Sequence, residues 1–276
     1  MCLLLLAIAG TTLAASAPST RSGGELMHAF EQGLAEPDCN TASPRWRMHY
    51  ARAATRLADQ DEVALVLFAF VLDEVRKAGL PSELALIPFV ETRFHPDLRS
   101  ASGPAGLWQF TASTARRHGI NVQAGRDGRM SVVSSTRAAV KYLGYLHRMF
   151  GHRWQQTAMA YNAGEGALRA SRRKGARRLS GITRSYPAKL HAIACLFTAR
   201  GNDARWQQAM ERPLPRLIAH SLPTGTHDLR RWAHAQGLDP TLVAALNPGW
   251  HRGSRNILAP VTGNTSTGPH GRRKAN

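Results

Sequence analysis

Glu91 is the side chain whose type and placement point most directly to chemistry. It lies in Ile87-Pro88-Phe89-Val90-Glu91-Thr92-Arg93-Phe94, with Leu84 and Ile87 seven and four residues before it and Phe94 three after it. Helical spacing projects these four residues from one face. A carboxylate on an apolar stripe is costly unless it is paired or its pKa rises. A raised pKa is what a general acid working near neutral pH requires. The competing reading is a helix-end Glu that reaches solvent or caps a neighbour, and this stretch alone leaves both open.

Three other segments carry groups of suitable type. In Ser102-Gly103-Pro104-Ala105-Gly106-Leu107-Trp108-Gln109-Phe110, the glycines permit tight backbone geometry and close approach of a ligand. Trp108 offers a flat face and Gln109 a two-way amide, a pairing suited to sugar recognition. A turn leading into a core Trp fits the same residues. In Ala160-Tyr161-Asn162-Ala163-Gly164-Glu165-Gly166, Tyr161 is placed to donate a hydrogen bond to a carboxylate and hold it, or simply to pack. Tyr186, at the start of Tyr186-Pro187-Ala188-Lys189-Leu190, either lines a cleft or belongs to the scaffold.

The elements that must position these groups are helical. Asp61 to Lys77 places Val63, Leu67, Phe70, Val71 and Val75 at helix spacing. A second helix is expected from Leu80-Pro81-Ser82-Glu83, with Ser82 as N-cap and Pro88 kinking it just before Glu91. Arg99 to Gly106 reads as a loop, and further helices are expected over Thr111–His118, Ser134–Phe150, Trp154–Tyr161 and Pro187–Ala199. No useful alternating pattern precedes residue 212, so the main domain is expected to be all-α. Residues 18–44 read as a flexible N-terminal segment and 45–212 as the helical domain. Past Pro213-Leu214-Pro215, residues 213–261 read as a small α-rich C-terminal module with helices over Thr226–Gln236 and Pro240–Leu246 and a short strand near Ile257–Val261. Residues 262–276 are polar and basic and read as disordered.

The bulk numbers set bounds. A chain of 276 residues with 43% hydrophobic content suits one sizeable domain with an appendage. Thirty-six Lys and Arg against 18 Asp and Glu give +18, a surface that attracts polyanions: nucleic acid, anionic lipid or an acidic wall polymer. Residues 1–17, with the apolar core Leu3 to Ala9 and the Ala15-Ser16-Ala17 pattern, read as a secretory signal too short to span a membrane. Export to the periplasm or cell envelope is therefore expected, without a lipid anchor at Cys2. Of the remaining Cys39 and Cys195, separation in sequence slightly favours two independent thiols over a bridge. No CxxC or His/Cys cluster indicates a metal site, and no cofactor is implied. Specific nucleic-acid binding lacks a helix-turn-helix or zinc signature.

Taken in order, these motifs resemble one family. An acidic residue ending an apolar helix, then Ser-Gly-x-x-Gly-Leu-Trp-Gln, then Ala-Tyr-Asn-Ala-Gly-Glu-Gly, is the pattern of lytic transglycosylases of the soluble-lytic-transglycosylase superfamily. The chain is most similar to the membrane-bound D type, over roughly residues 45–200. The resemblance implies a lysozyme-like helical domain with a glycan cleft, acting on peptidoglycan strands. Glu91 would be the single catalytic acid/base, cleaving between N-acetylmuramic acid and N-acetylglucosamine and closing a 1,6-anhydro ring. Tyr161 would orient Glu91. Thr92, Ser102, Gly106, Trp108, Gln109, Asn162 and Tyr186 would form the substrate-contacting set. The family has no second catalytic carboxylate, and Asp97 is not assigned that role. Two departures stand out: Thr92 replaces the usual Ser, and Arg126 and Arg129 occupy a region usually rich in acidic residues. The alternatives are a hydrolytic muramidase or a non-catalytic wall-binding protein of the same fold. Residues 222–261 resemble the piece that follows the catalytic domain in this family, with no recognisable LysM repeat. The basic run Arg169 to Arg178 is either a solvated face or a contact for anionic wall polymer or membrane.

Overall fold

The computed structural model describes residues 19–59, 62–173, 178–199 and 204–262. The expected leader and nearly all of the basic tail lie outside these residues, as does the centre of the Arg169–Arg178 run. In chain order the elements begin with β1 (Thr20–Ser22), α1 (Gly23–Gln32), α2 (Pro44–His49), α3 (Ala53–Asp59), α4 (Glu62–Lys77) and α5 (Ile87–Thr92). There follow α6 (Ala112–Arg117), a hairpin of β2 (Val122–Gln123) and β3 (Arg126–Asp127), α7 (Val132–Met149), α8 (Trp154–Ala163), α9 (Glu165–Ala170) and α10 (Gly181–Thr198). The chain closes with α11 (Ala204–Glu211), β4 (Pro213–Pro215), β5 (Leu217–Ser221), α12 (Leu229–Ala235), α13 (Pro240–Leu246) and β6 (Asn256–Pro260). The fold is all-α in class, the strands forming three two-stranded antiparallel pieces: β1–β4, β2–β3 and β5–β6.

α4 is the central helix, and its sequence says why. Every residue from Ala64 to Leu72 is buried, so it is apolar all round rather than on one stripe. Phe68 stacks edge-on against Phe30, Phe94 and Phe197, which joins α1, the turn after α5 and α10 in one core. α7 is the amphipathic counterpart, burying Val132, Ala139, Leu143 and Leu146. Ser131 and Ser180 cap α7 and α10 through hydrogen bonds from the backbone N–H groups of Ser134 and Thr183.

The segment 18–44 differs from the flexible start expected. Ser22 and Glu25 form a reciprocal capping box that starts α1, which buries Leu26 and Phe30. Arg21 forms a bidentate pair with Asp73 of α4, and β1 pairs with β4. The Ser and Gly residues that read as flexible are helix-start residues. Likewise, β1 and the β2–β3 hairpin are strands too short to show alternation.

Two proline positions also correct the expected boundaries. Ser82 does not cap a long kinked helix. Pro81 precedes a 3₁₀ turn over Ser82–Leu86, and α5 then begins at Ile87 with Pro88 in its first turn, where a missing N–H breaks no internal bond. Pro187 lies inside α10 instead of opening it, so the Thr183 carbonyl loses its usual donor while the Ser180 cap fixes the true start. Cys39 and Cys195 form a disulfide, with Cα atoms 5.5 Å apart, against the slight preference for separate thiols. Sequence distance could not reveal that the turn Cys39–Thr41 lies on α10.

The C-terminal module is a β5–α12–α13–β6 unit. It has a small core of Leu222, Leu229, Ala233, Val243 and Ile257, while Leu217, Leu246 and Leu258 belong to the core of the helical domain. It is therefore seated on that domain. Among the described residues no helix is long and apolar enough to cross a membrane.

Candidate active site

α5 is one and a half turns long and ends abruptly. Arg93 (φ 53°) and Phe94 (φ 62°) both take left-handed backbone conformations, uncommon for non-glycine residues and costly when consecutive. The Arg93 and Phe94 N–H groups bond back to the Phe89 and Pro88 carbonyls. The chain reverses directly after Glu91-Thr92, and this sharp exit leaves Glu91 at the edge of a cleft of about 720 Å³. Strain of this kind persists where the surrounding packing imposes it; here Phe94 is locked among Phe68 and Phe89.

Glu91 accepts a hydrogen bond of 2.5 Å from the Tyr186 hydroxyl. Burial raises its pKa, opposed by that bond and by the positive charge of Lys189. The charge of Glu91 in turn helps to raise the pKa of Tyr50, Tyr161 and Tyr186, each already raised by burial. The carboxylate thus lies within electrostatic reach of three phenols. Lys189 rests over the Trp46 ring, 4.8 Å from its centroid, which holds the ammonium near the site.

Besides Glu91, the cleft is lined by Leu98, Arg99, Ser102 and Pro104 from the loop after α5 and by Thr114, Arg117, Tyr142 and Asn162 from α6, α7 and α8. Gln109 also lines it, held in a left-handed conformation (φ 48°). Its amide donates to the Gly106 and Leu98 carbonyls at 2.9 and 3.2 Å, which leaves the carbonyl end of the side chain as acceptor. Asn162 accepts from Thr183 Oγ1 at 2.9 Å, which leaves its amide as donor. Ser102 is exposed at the mouth, its Oγ 2.8 Å from that of Ser100.

Several expected roles change. Tyr161 lines the cleft, but its hydroxyl donates to the Trp108 carbonyl at 2.8 Å. The phenol that holds Glu91 is Tyr186, and at 2% exposure it contacts the carboxylate from within and not the cleft. Trp108 is only 1% exposed and donates its indole N–H to Thr136 at 2.9 Å, so it presents no stacking face. Thr92, 2% exposed, shares its hydroxyl between the Pro88 and Leu107 carbonyls at 3.0 and 3.2 Å. It tethers α5 to the loop, and its extra methyl is taken up in the interior. Gly106 (φ 75°) serves backbone packing: a Cβ there would stand 2.0 Å from the Arg129 carbonyl oxygen.

Arg129 explains the departure in the hairpin region. It is 6% exposed and reaches across to the Gly103 and Phe110 carbonyls at 2.8 and 3.0 Å. It also grips Asp127 through Nε and Nη2 at 2.9 and 2.8 Å. Arg99 reaches the same carboxylate at 2.8 Å. Burial works against ionisation of Asp127, but together the hydrogen bonds from Arg129 and Arg99 outweigh it and hold its pKa at about 2. The arginine thus clamps both ends of the Gly103–Phe110 loop.

Sequence reasoning missed Arg99, Arg117 and Tyr142 as wall residues and Lys189 as a charge partner. Tyr142 lay on the apolar stripe of α7, yet its hydroxyl donates to Glu165 at 2.6 Å and lowers the pKa of that carboxylate. Burial and Glu165 together raise the pKa of Tyr142. Glu165 stood inside a quoted motif without an assigned role. Among the described residues no group of three or more His, Cys, Asp or Glu could hold a metal ion.

Comparison with known proteins gives the same family as the motifs. Residues 70–180 match the family described as transglycosylase SLT domain. The membrane-bound lytic murein transglycosylase D of Escherichia coli (strain K12) is 36% identical over 122 residues, covering 44% of this chain and 27% of that protein. The peptidoglycan transglycosylase gp16 of Escherichia phage T7 is 38% identical over 86 residues, 31% of this chain and 6% of that protein. The chain thus spans about a quarter of the first relative's length and far less of the second's. An X-ray structure of an inactive mutant of lytic transglycosylase Slt from Pseudomonas aeruginosa aligns with a TM-score of 0.37 and 24% identity, over 53% of this chain and 25% of that one. The stretch that carries Glu91 and its cleft, residues 70–180, is thus similar to transglycosylase SLT domains.

Proposed function

We propose that this protein cleaves peptidoglycan glycan strands between N-acetylmuramic acid and N-acetylglucosamine by transglycosylation without water. The observation that carries this reading is the setting of Glu91: a carboxyl whose pKa is raised by burial, held by Tyr186, and the one acidic residue among the described residues that line the cleft. A two-carboxylate glycosidase needs a second acid across the scissile bond. A single group suits a reaction in which one residue serves as acid and then as base.

In the first step protonated Glu91 gives its proton to the glycosidic oxygen, the C1–O bond breaks, and the N-acetylglucosamine end leaves as an alcohol. In the second, ionised Glu91 takes the proton of the muramoyl C6 hydroxyl as that oxygen bonds to C1. The 1,6-anhydro ring closes and Glu91 returns to its starting form. Tyr186 is a positioning residue: its O–H favours the ionised form between the steps, and burial favours the protonated form before and after. Ser102, Gln109 and Asn162 offer hydrogen-bonding groups along the strand's path.

The disulfide supports an exported location, because such bridges persist in oxidising compartments. The +18 charge supports retention on an anionic envelope.

Mass spectrometry of sacculi digested with the purified protein tests the reading. Muropeptides carrying the 1,6-anhydro mass are expected; reducing muramic acid ends in their place would assign a hydrolytic muramidase. With Glu91→Gln, release should stop while sacculus binding persists, and undiminished release would remove Glu91 from its role.

A further inference from the structure

A second groove, of about 520 Å³, opens beside the cleft, between the β2–β3 hairpin and the Pro248–His251 loop of the C-terminal module. We propose that this groove is a distal glycan subsite, which carries the strand onward from the Glu91 cleft across the face of the module. The proposal rests on the peptidoglycan-cleaving reading and deepens it.

Continuity is the first argument. Arg99 lines both the cleft and the groove, and its guanidinium is fixed at the junction by Asp127 at 2.8 Å. Arg99 is common to both linings, so a polymer leaving the cleft past it would reach the groove. The second argument is the lining. Trp250, half-buried, forms part of the wall, and its buried indole N–H has no hydrogen-bond partner. Gln123 and Arg126 of the hairpin are exposed beside it, with His251 on the module side. An aromatic body with a free donor, an amide and guanidinium groups is a set suited to sugar rings and N-acetyl carbonyls. The guanidinium groups also suit the lactyl carboxylate that muramic acid residues carry where the stem peptide has been removed.

The third argument is that the wall is built and held. Asn247 donates to the Val243 and Leu258 carbonyls at 2.7 Å each and accepts from the Leu258 N–H at 2.8 Å, which locks the loop onto β6. The Trp250 backbone N–H bonds back to the Asn247 carbonyl at 2.9 Å. Gly249 lies so close to Met130 that a Cβ would stand 2.7 Å from its backbone. Module and helical domain therefore form one continuous wall, and a strand bound there gains contacts that shorter substrates lack. Binding energy from such remote contacts can be used at the reacting centre, so a truncated substrate loses turnover as well as affinity.

The test compares kcat/KM for peptide-free glycan strands fractionated by length, using the full chain and its Trp250→Phe and Arg126→Ala variants. Trp250→Phe keeps most of the ring packing and removes the free donor. Arg126 is exposed on the hairpin, so its truncation leaves folding intact even if the Trp250 variant does not fold. Each variant is expected to lower the ratio of long-strand to short-strand kcat/KM by about tenfold, the loss of a contact of about 1.4 kcal/mol. A ratio unchanged in both variants would overturn the subsite, whether the two substrates lose rate equally or not at all. A loss that depends on attached stem peptides and not on strand length would overturn it too, by assigning the groove to peptide. If the wild type releases no anhydro product from any strand, the function itself fails, an outcome separate from these.

Discussion

At the residue scale, two tyrosines near one carboxylate do different work, and the difference is measurable. Tyr186 donates directly to Glu91, whereas Tyr161 donates to the Trp108 carbonyl and acts on Glu91 only through space. Removing the Tyr186 hydroxyl removes a bond that favours the ionised form, so the Glu91 pKa should rise further. In Tyr186→Phe the basic limb of the pH–rate profile, where the protonated acid is lost, should therefore move to higher pH, with kcat lower by roughly tenfold or more. Tyr161→Phe should leave that limb nearly in place. Equal displacement in both would contradict the assignment. The same carboxyl predicts a stability effect. Its folded pKa lies above that of the unfolded chain, so its contribution is fully present below the unfolded value, roughly 4.3, and is lost as pH rises through the folded value. Glu91→Gln should accordingly raise Tm by a few degrees at pH 7 and by much less at pH 4, a trade of stability for activity. Thermal melts at the two pH values check it.

At the element scale, the candidate site depends on links between segments that are remote in sequence. Some of the cleft lining was legible beforehand: Gln109 and Asn162 sit in short motifs whose constraints are local, and α4 and α7 follow from periodicity. Tyr186 was not assigned to Glu91, because the two are 95 residues apart and only tertiary packing joins them. The interior places of Trp108 and Thr92 were hidden for the same reason, since their partners Thr136 and Leu107 come from other elements. Arg129 is the clearest case of a long-range clamp. Arg129→Ala frees two loop carbonyls and leaves Asp127 without its buried partner, so a loss of about 3 kcal/mol is expected in denaturant titration. The Asp127 contribution is present above the unfolded carboxylate value and lost as pH falls through about 2, so the deficit should persist at neutral pH and narrow in strong acid. The disulfide is the second link, joining the turn after α1 to α10, the helix that carries Tyr186. It closes a span of 156 residues, and the chain-entropy account gives it about 5 kcal/mol. Reductant or Cys39→Ser should lower Tm markedly and, by loosening α10, reduce activity before global unfolding. A melt unaffected by reductant would show that the bridge does not form in solution.

At the scale of the whole molecule, charge and cleft act over different distances. The formal charge of the whole sequence is +18, while the contacts proposed at Glu91, Gln109 and Asn162 are short-ranged and partly shielded from solvent. Salt separates the two. Exposed charges are screened beyond about 10 Å at 0.1 M ionic strength and about 3 Å at 1 M, whereas contacts inside a cleft are screened much less. Sacculi carry stem-peptide carboxylates along their length, so surface charge should dominate capture of the polymer and the cleft should dominate turnover. Retention of the Glu91→Gln protein on sacculi is therefore expected to fall severalfold between 0.1 M and 1 M NaCl. Under the same change, kcat on a short, peptide-free glycan should move by less than about twofold. Co-sedimentation and product release measure the two quantities on one preparation. Salt-insensitive retention would place capture in the cleft and the distal groove, whereas a parallel collapse of kcat would mean that surface charge acts on the chemical step itself. The separation expected here follows from a fold that half-buries Glu91, the one cleft-lining carboxylate among the described residues, at the exit of α5 while leaving most of the described arginines exposed.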